Sequence, residues 1–366
     1  MIWLTWRQFR AQAVTAAVAL ALFAVLLVST RPRMASLYAA SGIAGCHTSS
    51  CAGLASGFLN QLASTTPFSG HALDPLPDGF NLYPFVYTGS ILLILLAPAI
   101  VGIFWGAPLI ARELENGTGR LTWNQSITRT RWLTVKLTLI AAAAMAVTEA
   151  FSQLQSWWAT PIGRAMGVGG SASVFTGNRF SPLAFVTHGI APLGYAAFGF
   201  TLGAAAGLLI RRTVPAMAVT LAVFAAVQLA MPLWVRPNLI PPQHTTVAIG
   251  RDVTFGDYGV GNSALPAFSL TTGSVPGQPG AWVTGSGAVD RAGQPVRVLP
   301  AACAQQANQA GADILDCLDG QGIRIALSYQ PASRYWAVQA AETGILLVLA
   351  AGLTGLCFWR LGRRRT

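Results

Sequence analysis

Six stretches of roughly 20 predominantly apolar residues decide what this polypeptide can become, because a helix rising ~1.5 Å per residue crosses a ~30 Å hydrocarbon layer in about that length. They run approximately from Ala11 to Ser29, Thr88 to Ile110, Leu133 to Leu154, Ala184 to Ile210, Pro215 to Val235 and Trp336 to Trp359. In the third, Lys136, Glu149 and Gln153 shorten the apolar centre. Composition agrees: 53% of the 366 residues are hydrophobic and 10% charged, where soluble domains carry about 25% charged residues. Intrinsic disorder requires the reverse balance, high charge with low hydrophobicity. The expected fold is an all-α polytopic membrane protein with six transmembrane helices.

The net charge of +11 would suggest nucleic acid in another chain, but its distribution follows topology. With both termini inside, the cytoplasmic segments hold Arg7 and Arg10; Arg112, Arg120, Arg129, Arg131 and Lys136; Arg211 and Arg212; and Arg360, Arg363, Arg364 and Arg365, which is 13 of the 23 basic residues. Positive charge is retained on the cytoplasmic side. Arg31 and Arg33, after the first apolar run, oppose this orientation and are outvoted. That run is too long for a signal-peptide core. Ile43-Ala44-Gly45-Cys46, which superficially resembles a lipoprotein cleavage box, lies too far beyond it. The excess charge therefore faces anionic lipid head groups and a cytoplasmic partner, with no nucleic acid implied.

Residues 236–335 change character: six aspartates balance six arginines, and Trp282 to Val298 has β-forming residues around a Gly-rich turn. Ala301 to Leu318 reads as a short helix. This segment is expected to be a small mixed α/β extracytoplasmic domain between the fifth and sixth spans, with 1–235 holding spans one to five and 336–366 the sixth span and a basic tail. Cys46, Cys51, Cys303 and Cys317 fall in outer segments, where disulfides persist. Pairing Cys46 with Cys51 and Cys303 with Cys317 is the simplest of three arrangements. Cys357, in the sixth span, reads as a packing residue.

No catalytic or metal-binding pattern is present. The single lysine, Lys136, follows Val135 rather than the glycine of a phosphate-binding loop, and the four histidines show no ligand spacing. Two features of the spans remain open to more than one reading. Gly199, Gly203 and Gly207 place three side-chain-free positions on one face of the fourth span, for packing within the chain or between subunits. Glu149 and Glu342 lie toward the outer ends of the third and sixth spans, as structural polar contacts or as parts of a substrate or proton path.

The connection after the second span, residues 111–132, has an acidic start, a basic end, and Leu121 and Trp123 available to bury at a membrane surface. Its Arg112, Glu113, Glu115, Gly117-Thr118 and Leu121, followed by Arg131-Trp132 and Lys136, resemble the coupling region of type-2 ABC exporter permeases. The amino terminus around Trp3 to Arg10, and Tyr329 to Gly344, are similar to actinobacterial permeases of this family. The resemblance implies a membrane-spanning permease subunit without its own ATPase motif, and so not an enzyme by itself, in a bacterial plasma membrane with both termini cytoplasmic. It further implies a homodimer or heterodimer of permeases, and a separate ABC ATPase that carries ATP and Mg while this chain binds no cofactor. Arg112, Glu113, Glu115, Gly117, Thr118, Arg120 and Trp123 would form the ATPase-coupling surface. The alternatives are a proton-coupled secondary transporter using Glu149 and Glu342, and a sensor or assembly protein whose outer cap binds a ligand.

Overall fold

The computed structural model describes residues 2–45, 51–64, 81–115, 129–172, 174–175, 177–249, 253–258, 267–272, 275–278, 280–303 and 314–363. Six helices are long and apolar enough to cross a membrane: Phe9–Ala40, Leu82–Glu115, Thr130–Trp158, Ala191–Ile210, Thr213–Asn238 and Ala332–Gly362. All six overlap the expected spans, but their ends shift. The first continues through Pro32 to Ala40. Arg31 does not end it, because its guanidinium lies 3.7 Å from the Trp157 ring centroid and donates to the Trp157 carbonyl. The fourth begins at Ala191 rather than at the expected Ala184. Pro182–Thr187 instead forms a separate short helix, and the chain turns at Gly189, whose φ of +68° suits a residue without a Cβ. The fifth reaches Asn238, so Arg236 belongs to a span and not to the segment that follows.

Two apolar cores define the ends of the bundle. Phe9 of the first span, Trp105 and Ile110 of the second, Leu133 of the third, Leu208 of the fourth and Leu361 of the sixth share one core, at the end carrying the chain termini. Leu27, Met34, Tyr83, Phe151 and Trp158 meet in the other, with Phe58 and Leu59 of the non-spanning helix Ala52–Ser64. The spans therefore alternate in direction.

The fourth span is the axis of the bundle: 83% of its apolar window is buried, against 56% for the second span and less for every other. Its glycines meet the second span where that helix widens into a π turn at Gly102–Gly106. A Cβ at Gly199 would lie 2.6 Å from the Pro98 carbonyl oxygen, one at Gly207 2.5 Å from that of Ala107, and one at Gly203 would collide with that of Gly102. The second span reciprocates, since Cβ atoms at Gly102 and Gly106 would lie 2.5 Å from the Gly199 and Phe200 carbonyl oxygens. Small residues let two backbones approach in this way, and here they do so within one chain.

Between the fifth and sixth spans lies a small sheet region. Strands β1 (Gln243–Val247), β5 (Arg324–Gln330) and β4 (Trp282–Val289) form an antiparallel sheet with β5 central, while β2 (Val253–Tyr258) pairs with β3 (Ala267–Thr272). Alternation along β5 buries Ile325, Leu327 and Tyr329 against Leu270, Leu299 and Leu318. Gly285 and Gly287 of the expected Gly-rich turn lie within β4, and the turn follows it, closed by Asp290, whose Oδ1 accepts from the Ala292 and Gln294 amides, each at 2.8 Å. The expected helix from Ala301 to Leu318 is replaced at its end by a helix over Ile314–Gly320, and residues 304–313 lie outside those described. A disulfide joins Cys303 to Cys317 beneath the sheet. Cys46 lies outside the described residues, and with it the pairing expected for Cys51.

The close crossing generates a test. Gly203→Ala should destabilise the protein by about 1–3 kcal/mol through overpacking. Gly352→Ala, where an added Cβ meets nothing within 4 Å, should be neutral. Thermal unfolding of the two purified variants in detergent measures the difference.

Candidate functional site

At the terminal end, the second span finishes in the helix Ala107–Glu115, and both of its carboxylates have partners on other spans. Glu113 forms an ion pair with Lys136 of the third span, whose side chain is only 3% exposed. The ammonium also lies 4.7 Å from the Trp132 ring centroid. Burial of this lysine explains why the third span tolerates it, since the pair replaces lost hydration. Glu115 accepts from the Thr213 amide at 3.2 Å and from the Thr213 hydroxyl at 2.7 Å, capping the first turn of the fifth span. The end of the second span is thus fastened to both the third and the fifth. Arg112 is exposed beside them. Gly117, Thr118, Arg120 and Trp123 lie outside the described residues.

A cavity of about 250 Å³ opens at this end between Phe9, Gln12, Trp105, Arg112, Glu113 and Ile140. Gln12 has a defined task on its rim. Its Nε2 donates to the Phe104 carbonyl at 3.0 Å, inside the π turn. A π turn disturbs the regular backbone ladder, and the side chain from the first span supplies a donor there.

Deeper, toward the sheet end, the structure assembles a charged cluster that sequence reasoning divided between two regions. Glu342 of the sixth span is fully buried. Its carboxylate takes Arg236 Nε at 2.8 Å, Arg236 Nη2 at 3.1 Å and the Tyr195 hydroxyl at 2.7 Å. Arg236 is 1% exposed, and its guanidinium lies 3.9 Å from the Phe185 ring centroid. One cluster thereby joins the fourth, fifth and sixth spans to the short helix Pro182–Thr187. One turn earlier in the sixth span, Gln339 spans the break before the fourth: its Oε1 accepts from the Ile190 amide at 2.9 Å and its Nε2 donates to the His188 carbonyl at 2.8 Å. Glu149 takes no part in this cluster and accepts instead from Gln153 on its own helix.

Reading Arg236 as the first residue of a polar domain concealed its partner. The usable signal was two opposite charges, Arg236 and Glu342, each set against an apolar run. Lys136 followed by Glu113 as a partner was concealed likewise, because both were counted as surface charge. Among the described residues no group of three histidine, cysteine or carboxylate side chains is placed to hold a metal ion.

Removing one partner of a buried pair leaves the other charge uncompensated. Glu342→Met and Arg236→Met should therefore each cost about 3–5 kcal/mol, while the double replacement should recover most of it. Thermal unfolding of the single and double variants, compared as a cycle, reads the coupling.

Comparison with known proteins places this architecture. The family described as ABC-2 membrane transporter related matches residues 17–236, from within the first span to the buried arginine at the end of the fifth. No curated protein and no solved structure matches the chain. Since the match covers more than half of the sequence, the chain belongs to the ABC-2 membrane transporter related family, as a multi-pass permease.

Proposed function

We propose that the chain is the membrane-spanning subunit of an ATP-driven exporter, working by alternating access with a separate ABC ATPase. The observation that carries this reading is the family match over five of the six spans, joined to the cross-links at the terminal end. ATP and Mg would reside on the ATPase, with none bound by this chain. Both termini and the segment 111–132 would lie on the cytoplasmic side of a bacterial plasma membrane, and the sheet region outside it. Two permeases and two ATPases would complete the transporter.

Force would enter the bundle at Glu115. A push on residues 116–128 from a docked ATPase arrives at the end of the second span, which the Glu113–Lys136 and Glu115–Thr213 contacts fasten to the third and fifth. The close backbone crossing with the fourth span carries the displacement inward. Helices packed this tightly shift between discrete arrangements, which is what switching of access requires. Proton carriage on Glu342 fits the geometry less well, because Arg236 and Tyr195 already occupy its oxygens.

Purification together with a candidate ABC ATPase from the same cell, followed by ATP hydrolysis in proteoliposomes, tests the proposal. The wild-type permease should associate with the ATPase and stimulate it. Glu115→Gln, weakening the contacts to Thr213 by about 1 kcal/mol, should lower that stimulation by about fivefold without preventing assembly. Transport driven by a pH gradient alone, with no ATPase associating, would overturn the reading.

A further inference from the structure

A second cavity, of about 470 Å³, lies at the opposite end of the bundle, in the seam between the spans and the sheet region. Its walls come from Tyr87 of the second span, Ala159 at the end of the third, Gly163, Met166 and Gly167 of the helix Thr160–Gly167, and Tyr335 at the start of the sixth. The volume falls in the range of about 300–1,000 Å³ usual for small-molecule sites. The space is open along the helix Thr160–Gly167, since a Cβ added at Gly163 or Gly167 meets nothing within 4 Å.

The polar groups of this cavity are unequal. Asn178 is engaged: its Nδ2 donates to the Ala281 carbonyl at 2.8 Å and its Oδ1 accepts from the Phe180 amide at 2.9 Å. His188 donates from Nδ1 to the Ala184 carbonyl at 2.7 Å. Burial holds its imidazole below the ordinary value, the Ala184 carbonyl opposing, so the ring is uncharged at neutral pH. Arg179 is different. It is exposed at the cavity, its guanidinium lies 5.1 Å from the Tyr335 ring centroid, and no carboxylate among the described residues pairs with it. A guanidinium offers five donors in a fork that matches a carboxylate or phosphate.

Behind the cavity wall the third span carries a buried polar side chain. Gln155 shares a helix face with Ser152 and Ala159. Ser152 donates to the Thr187 carbonyl at 2.8 Å, and Ala159 lines the cavity. Between them Gln155 is fully buried, and neither its amide nitrogen nor its amide oxygen has a hydrogen-bond partner in the protein. A buried amide left unpaired costs about 1–3 kcal/mol, a cost carried one helical turn below Ala159, behind the cavity wall.

We propose that this cavity is a binding site for an anionic amphiphile, whose carboxylate or phosphate pairs with Arg179 and whose apolar body lies between Tyr87, Met166 and Tyr335. A cationic ligand would meet Arg179 with like charge, and a neutral one would leave its donors unused. The site does not depend on the exporter reading, because it is tested on the permease alone without nucleotide.

The probe is a 12-carbon fatty acid carrying a photoreactive diazirine, with the matching fatty alcohol as its uncharged counterpart. The full-length protein is held in phosphatidylcholine nanodiscs, and labelled peptides are mapped by mass spectrometry. The acid should label the segments around Gly163 and Ala184 saturably. Arg179→Gln should weaken that labelling about tenfold, the loss of one charge-assisted contact, and Arg179→Lys should retain most of it. Gly163→Phe, filling open space, should abolish it, and the alcohol should show no dependence on Arg179. Phosphatidylglycerol in the nanodiscs distinguishes the source of the acid group: displacement of the probe assigns the site to a lipid head group, and persistence assigns it to a free amphiphile. Labelling that Arg179→Gln and Gly163→Phe both leave unchanged, or that spreads over the lipid-facing helices, would overturn the proposal.

Discussion

The bundle depends on one crossing where two helices touch through their backbones rather than their side chains. At Gly199, Gly203 and Gly207 the fourth span presents no side chain, and the second span answers with Gly102 and Gly106. In lipid there is little hydrophobic gain from pressing apolar helices together, so van der Waals contact and polar ties must hold them. The crossing supplies the first. It brings the fourth span so deep into the protein that the remaining spans pack around it, and it sets the second span's later turns where Glu113 reaches Lys136 and Glu115 reaches Thr213.

The polar ties are the counterpart, and they sit at the two ends. Glu113 with Lys136 closes the terminal end, while Glu342 with Arg236 and Tyr195 closes the region below the sheet. Each links two consecutive spans, so each resists separation of those helices without restricting the crossing of the second with the fourth. A bilayer makes such charges costly when single and tolerable when paired. The sheet region is bound to the same framework through aromatic packing, with Phe180 between Trp282 of β4 and Tyr335 of the sixth span at centroid distances of 5.8 and 5.4 Å.

How much of this was legible in the sequence differs by level. Spanning helices are written as length and apolarity, and all six emerge. Their ends are less visible, because ends are decided by tertiary partners: the fourth span starts at Ala191 since Gln339, 149 residues away from Ile190, satisfies the broken backbone there. The glycine stripe was visible as a surface for close approach, though its partner was not, because Gly102 and Gly106 attract no notice until the π turn aligns them. The site was legible only as residue types. Glu113, Glu115 and Glu342 could each be named, while Arg236 was counted with the polar segment, because pairing them requires the three-dimensional order of the spans, which hydropathy does not encode.

The wide turn at Met231–Val235, immediately before Arg236, sets the phase of the helix that follows it. A π turn accommodates one residue more than an α-helix, so every later position is rotated by about 100° relative to an uninterrupted helix, given 3.6 residues per turn. Arg236 faces Glu342 in that shifted phase. A relative with one residue fewer in this stretch would turn the guanidinium toward another side of the helix. The length of the chain at 231–235 is therefore as much a part of the Arg236–Glu342 pair as the two charges themselves.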